Sequence, residues 1–397
     1  MEKTFKYRLY PNKLQRDLIE RSFGCCRWVY NRCLDEREAH YKETGRYLSV
    51  FDLQKMITVW KKTDYPWLSD ASASALQSAV EDLGKSYDSF YARMKQGKKA
   101  NPPKHKRKKS DKQSFRVKNT GSHVAILDDK HIKIPKLGSV KCKVSRNIEG
   151  RIISVTVRRS PSGKYYAIVL CTDCLVVHMP KGRIGVMGID VGVRNLITRS
   201  DGVKVPNPQA LISYEDKIRR EQKKLSRKKK GSANYEKQRR RLSRVYEKAR
   251  NVRQDAIHKA TLNAVRNSQA IAVEDLDVIG MMEGRSLSKR IADASMGEII
   301  RQLEYKSLWY GRDFVKVDRF FPSSRICRGC GEVYDGLTLA METWVCPNCL
   351  SDIDRDLNAA FNIADEGSFL LYGTARSAGN SSNAVKCFRI KRRTQSH

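Results

Sequence analysis

No stretch of this sequence approaches the roughly 20 consecutive apolar residues that a membrane span requires, and no apolar run follows Met1. A cytoplasmic protein with no membrane partner is therefore expected. A disulfide framework is equally absent. The 11 cysteines are odd in number, four in metal-like spacing and the rest scattered, which fits a reducing compartment. Acidic residues are scarce beside basic ones, 43 Asp and Glu against 78 Lys and Arg, for a formal charge of +35. So large a surplus suits neutralisation of many backbone phosphates on a duplex or a structured RNA. A purely structural basic protein would have no use for the few acidic islands that do occur. The 397 residues allow two or three domains.

Residues 3–10, "KTFKYRLY", alternate apolar and basic and stop at Pro11, as a strand does with one face on a core and the other toward phosphate. Helical spacing follows from Asn12 onward, near 49–62 and over 70–93, where Leu76, Val80, Leu83, Tyr87 and Phe90 share one face. Residues 94–114 are too polar and charged to fold alone and read as a basic linker that orders on nucleic acid. Short alternating runs over 115–178, separated by Gly, Asn and Pro-Ser-Gly turns, predict strands. Closing them with the first strand into a small β-barrel would leave no exposed edge. A strand, turn and strand at 184–198 come next, then two charged helices over 214–259 broken at Gly231-Ser232. The Lys- and Arg-rich faces of that hairpin are either solvated or phosphate-tracking, and the net charge favours the latter. Strands "AIAVEDL" and "FVKVDRF", with a helix near 295–311 between them, complete this core, and "NAAFNIADEG" predicts a short helix ending at Gly367.

Three acids sit at informative places. Asp190 lies in the strand "VMGIDVGVRNL", where Gly188 and Gly192 would let substrate and metal approach without a Cβ in the way. Glu274 ends the strand "AIAVE", and Asp356 opens the last helix. Singly, each is most simply a solvated carboxylate. Together their order, strand, strand and helix, is that of the acidic triad of an RNase H-like nuclease. Such a triad holds two divalent ions roughly 3.5–4 Å apart, Mg²⁺ being suited to an all-oxygen ligand set. Asp275, Asp277 and Asp354 are nearby competitors with poorer neighbours.

Cys327-x-x-Cys330, followed after fifteen residues by Cys346-x-x-Cys349, has the spacing of a Cys₄ zinc ribbon, one structural Zn²⁺ supplying folding energy. Cys171 and Cys174 have no partner pair, and with Cys25 and Cys26 they read as packing. In "NVRQDAIHK", Asp255 and Lys259 can form a simple i,i+4 pair, or Arg253 and His258 can face phosphates near the acids. Asn195 either binds substrate or caps its hairpin.

These residues resemble the TnpB proteins of bacterial insertion sequences (IS200/IS605-type OrfB), compact relatives of type V CRISPR effectors. The resemblance rests on "YRLYPNKLQ" at 7–15, "GCCRWVYN" at 24–31, "GIDVGVRNL" at 188–196, "VRQDAIHK" at 252–259, "VEDL" at 273–276, "PSSRICRGCG" at 322–331, "WVCPNC" and "DRDLNAAFNI". It implies an RNA-guided DNA endonuclease whose partners are a guide RNA from the transposon end and double-stranded target DNA beside a short adjacent motif. Cutting would use one RuvC-like site, with Asp190, Glu274 and Asp356 as catalytic Mg²⁺ ligands and Cys327, Cys330, Cys346 and Cys349 on zinc. One protein copy per RNA is expected. A guide-directed repressor that does not cut is the alternative, and the presence of all three acids speaks against it. A strand-transferring transposase lacks its tyrosine and histidine arrangement here, and a junction resolvase would not need the helical insert.

The implied fold is multidomain α/β: an RNase H-like (RuvC) nuclease domain with an inserted zinc ribbon, and a β-barrel wedge domain with an inserted helical recognition lobe. Its parts would be a first wedge strand 1–11, recognition lobe 12–93, basic linker 94–114, remaining wedge barrel 115–180, nuclease core 181–320 with hairpin 214–250, zinc ribbon 321–351, final nuclease segment 352–368 and basic tail 369–397. Tyr7, Arg8, Lys104, Lys106 and Arg107 become candidates for RNA or DNA contact. Two departures from the family pattern stand out: Leu350 where a glycine follows the last cysteine, and Ile353 where a histidine precedes "DRD". Met296, where an aromatic is usual, is read as a packing substitution.

Overall fold

The computed structural model describes residues 1–108, 113–176, 184–283, 288–338 and 340–373. Most of the expected basic tail lies outside them. The chain divides into two compact units, Met1–Leu175 and Val176–His397. No helix among the described residues is long and apolar enough to cross a membrane.

The first unit opens with β1 (Lys3–Leu9), then α1 (Lys13–Thr44), α2 (Val50–Lys62), a 3₁₀ turn at Pro66–Asp70 and α3 (Ala73–Lys95). Strands β2 (Gln113–Lys118), β3 (Ala125–Asp128), β4 (His131–Ile134), β5 (Gly138–Lys143), β6 (Arg151–Arg159) and β7 (Tyr165–Thr172) follow. Helix α1 starts at a capping box, Asn12 accepting from the Gln15 N–H while Gln15 accepts from the Asn12 N–H, and ends at Gly45 in the left-handed conformation. In α3 the predicted stripe is buried: Leu76, Val80, Leu83 and Tyr87 join Phe23, Val29, Leu53 and the sheet residues Phe5, Leu9 and Val169 in one core.

The seven strands pair in the order β2-β6-β7-β1-β5-β4-β3. This corrects the expected β-barrel: no ladder joins β2 to β3 among the described residues, so the sheet is open, and the fold is mixed α/β with several open sheets. Closure is one way to remove a reactive edge, and covering it with a helix is another. Here α3 covers β2. Arg116 pairs with Asp82 at 2.8 Å and Glu81 at 3.4 Å, and the Lys118 N–H donates to Ser74 Oγ at 2.8 Å. At the other edge β3 has only four residues, a length that offers little to a foreign strand.

The second unit contains β8 (Ile184–Asp190), β9 (Asn195–Arg199), β10 (Lys204–Pro206), α4 (Ala210–Ser213), α5 (Glu215–Ser226), α6 (Ala233–Asn267) and β11 (Ser268–Glu274). After them come α7 (Val278–Glu283), α8 (Ser288–Ala294), α9 (Met296–Trp309), β12 (Asp313–Val317), β13 (Thr343–Val345), β14 (Asp352–Asp354) and α10 (Arg355–Tyr372). Its main sheet runs β10-β9-β8-β11-β12, with β8, β11 and β12 parallel and β9 and β10 antiparallel additions. Alternation along β8 puts Met187 and Ile189 in one core with Ile257, Ala264, Ile299 and Leu303 of α6 and α9, where Met296 is also buried.

The opposite face of the sheet carries α10, whose Ile363 packs with Ala272 and Val317. Two glycines make that approach possible. A Cβ on Gly188 would fall 1.9 Å from the Ala360 carbonyl oxygen, and one on Gly367 would fall 2.3 Å from Ala272 Cβ. Gly188 therefore admits a helix rather than a substrate. Gly367 is interior to α10, which continues to a left-handed cap at Gly373 instead of stopping as the sequence suggested.

Candidate active site

Strands β8 and β11 are parallel neighbours with Ile189 opposite Val273, so Asp190 and Glu274 occupy adjacent C-terminal strand ends. In open α/β sheets this is where ligand crevices form. Asp356 enters as the second residue of α10, whose start is set by Asp354 accepting from the Leu357 N–H at 2.9 Å. Asp190 senses the other two acids. Burial, with repulsion from Glu274 and then Asp356, pushes the Asp190 carboxyl up to about 8, against the opposing pull of Arg355 and the Val191 N–H. Glu274 is raised too, by burial, partly offset by the Ser323 hydroxyl. Arg355 holds Asp356 Oδ1 through Nε at 3.2 Å and a terminal nitrogen at 3.0 Å, and it also donates to the Met341 carbonyl at 2.8 Å. Without a cation Asp190 keeps a proton near neutral pH, and ionising it beside Glu274 and Asp356 calls for more positive charge than Arg355 supplies. Hard oxygen donors in that state fit a divalent cation.

The competing acids are otherwise engaged. Asp275 pairs with Arg319 at 3.1 Å, Asp277 is 3.9 Å from the same guanidinium, and Asp354 binds Lys204 at 2.5 Å besides capping α10.

All four expected cysteines gather. Their Sγ atoms lie within 4.8 Å of one another, Cys327 and Cys349 at 3.6 Å and Cys330 and Cys346 at 3.5 Å. Tetrahedral bonds of about 2.3 Å to zinc would put sulfurs about 3.8 Å apart, so the cluster fits a zinc-binding module. Ile353 packs into its small core with Trp344, Cys327 and Cys346. Leu350 stands exposed with φ of 60°, a left-handed backbone in which glycine is favoured and leucine is strained.

Other candidates land elsewhere. Tyr7 is 1 % exposed, and its hydroxyl donates to the Arg146 carbonyl at 2.7 Å, so its ring belongs to the core. Arg8, on the other face of β1, lies 5.2 Å from the Tyr166 ring and 5.4 Å from that of Tyr10. Lys104, Lys106 and Arg107 are exposed; the Lys106 ammonium sits 3.8 Å over Tyr30, and the Lys106 backbone N–H donates to Asn31 Oδ1 at 2.7 Å. Arg253 reaches the buried Asp293 at 3.3 Å, and the Asp255–Lys259 pair forms at 2.7 Å. His258 is exposed beside Gln302, and Asn195 begins β9 opposite Pro206. Residues that sequence reasoning missed are Ser323, Arg355, Asn358 and Asn362, all close in the chain to the acids or the cysteines. Two asparagines four apart on the otherwise apolar "DLNAAFNI" face were the available signal.

Comparison with known proteins adds three family-model matches: "Probable transposase" over 179–285, "Cas12f1-like, TNB domain" over 297–363 and "Helix-turn-helix domain" over 1–46. A Streptomyces pristinaespiralis protein described as "Putative RNA-guided DNA endonuclease" is 34% identical over 92% of this chain and 90% of its own length. Escherichia coli K12 InsQ, described in the same words, is 31% identical over 93% of each. Among solved structures, Cas12f1 in its sgRNA and target DNA complex is similar in fold, with TM-score 0.59 and 14% identity over 92% of this chain and 99% of that one.

Proposed function

Because the chain belongs to the TnpB family of transposon-encoded RNA-guided DNA endonucleases, we propose that it takes a guide RNA from its own element, pairs it with double-stranded DNA beside a short adjacent motif, and cuts in a single RuvC-like site. The general activity is supported by the two bacterial relatives, which align along at least 92% of this chain. The observation that carries the site assignment is geometric: Asp190 and Glu274 end adjacent parallel strands and Asp356 opens α10, where burial and then repulsion from Glu274 and Asp356 push the Asp190 carboxyl up to about 8.

Asp190 and Glu274 present oxygens from adjacent strand ends, and Asp356 adds one from the helix start, oriented by Arg355. Two bound Mg²⁺ ions would supply water activation and charge neutralisation at the leaving 3′ oxygen. Sequence reading is delegated to base pairing, so the protein needs basic surface that holds phosphates and an A-form shape. The α5–α6 hairpin, where Lys237, Arg240, Arg241 and Arg244 line one cleft, and the basic strap around Lys104 and Arg107 are the surfaces suited to it. The helical lobe 12–93 would support recognition, with one protein copy on each RNA.

The test is cleavage of a plasmid library carrying a guide-matched target flanked by randomised bases, with protein and RNA co-expressed from the native locus. Mg²⁺- and guide-dependent linear product with an enriched flanking motif is expected, and Asp190→Ala should retain guide-dependent binding but lose cutting. Full cutting by Asp190→Ala would sink the site assignment. Guide-dependent retention by the native chain without breaks would make it a programmed binder.

A further inference from the structure

We propose that Ser323 is a positioning residue that orients Glu274 for metal and ties its geometry to the docking of the Cys₄ module; this rests on the nuclease site argued above. The Ser323 hydroxyl, in a residue 5 % exposed, donates to Glu274 Oε1. Among the described residues it is the one hydrogen bond drawn to that carboxylate side chain. A bond to one oxygen turns the carboxylate and leaves Oε2 to serve as a ligand, the way partners of metal ligands commonly fix their direction.

Ser323 is itself held. Its carbonyl accepts from Asn362 Nδ2 at 2.7 Å, and the Ile326 carbonyl accepts from Asn358 at 2.7 Å and Asn362 at 2.8 Å. Asn358 also receives the Arg328 N–H at 3.2 Å. Both asparagines are buried, four residues apart on α10, the helix that begins with Arg355 and Asp356. Cys327 follows Ile326 directly, and its N–H donates to the Glu332 carbonyl within the cysteine module. One helix therefore carries an acid of the site at its start and, within its first two turns or so, grips the segment that brings a hydroxyl to a second acid. The cysteine module enters the chain at the end of that gripped segment. A loop of this kind cannot shift without turning Glu274.

The measurement is calorimetric titration of Mn²⁺ into the zinc-loaded protein–RNA complex without DNA, alongside the Mg²⁺ dependence of cleavage. Ser323→Ala should weaken Mn²⁺ binding and raise the Mg²⁺ requirement by about tenfold, the usual scale for such partners, with guide-dependent DNA retention unchanged. Ser323→Thr, which keeps the hydroxyl, should restore both. Wild-type Mn²⁺ binding by Ser323→Ala would overturn the proposal, as would loss of DNA retention together with metal binding, which marks a role in folding alone. Asp190→Ala in the same titration separates the two readings: if it leaves Mn²⁺ binding and cutting intact, the carboxylate site itself is wrong.

Discussion

The four cysteines and the three candidate acids Asp190, Glu274 and Asp356 are both sets of acidic side chains, yet the two sets are assembled in opposite ways. The cysteines span residues 327–349 and meet through two tight knuckles, so their assembly asks little of the rest of the unit. The acids span 190–356, and only the pairing of β8 with β11 and the docking of α10 bring them together. A local cluster can add folding energy when it binds metal. The distributed acids are placed by the fold, where burial and then repulsion from Glu274 and Asp356 raise the Asp190 carboxyl.

That contrast can be broken or sharpened experimentally. The largest effect is expected at the cysteines: Cys346→Ser should unfold the module, since structural zinc contributes on the order of 10 kcal/mol, and new protease sensitivity confined to residues 321–351 would reveal it. General unfolding of the unit instead would erase the distinction between local and distributed sites.

Next is Asp190→Asn, expected to cut cleavage on the order of 10³-fold while stabilising the metal-free protein by a few kcal/mol. The sign follows from linkage. With the folded pKa at about 8, above the 3.8 of the free side chain, the folded chain holds a proton that the unfolded chain releases as pH rises between these values. The contribution of Asp190 to stability is thus lost as pH climbs to about 8. Thermal melts without metal should show the advantage of the variant growing from pH 5 to pH 8 (an about-threefold spread in kcal/mol is expected); a constant advantage would remove the charge explanation.

Leu350→Gly should stabilise the metal-bound module by about 1 kcal/mol by relieving its left-handed backbone, read as slower zinc loss to a chelator. Smallest is Lys204→Ala. Its pair with Asp354 is more than a third exposed, so unfolding free energy should change by less than about 1 kcal/mol.

Much of this could be read from the chain. Period-two and period-3.6 patterns located β1, α1, α3, β8 and β11, and cysteine spacing located the metal module. Asp190, Glu274 and Asp356 were candidates by their order along strands and helix, and the elements expected to carry them, β8, β11 and α10, do form. Tyr7 was expected to contact nucleic acid, although the alternation of β1 already sets it on the core side with Phe5 and Leu9 while Arg8 faces away. What escaped was whatever depends on a distant partner. Arg253 could have faced phosphate until Asp293, forty residues away, received it. The sheet of the first unit could have closed until α3 covered β2.

The sequence by itself determined the local elements, the four-cysteine ligand set and the chemical class of the second cluster, because periodicity, knuckle spacing and donor type are properties of short stretches. Only the tertiary structure decided that the first sheet stays open, that Gly188 and Gly367 serve α10, and that Ser323, Asn358 and Asn362 stand behind Glu274. Those outcomes follow from which surfaces pack together, and packing compares residues far apart in the chain.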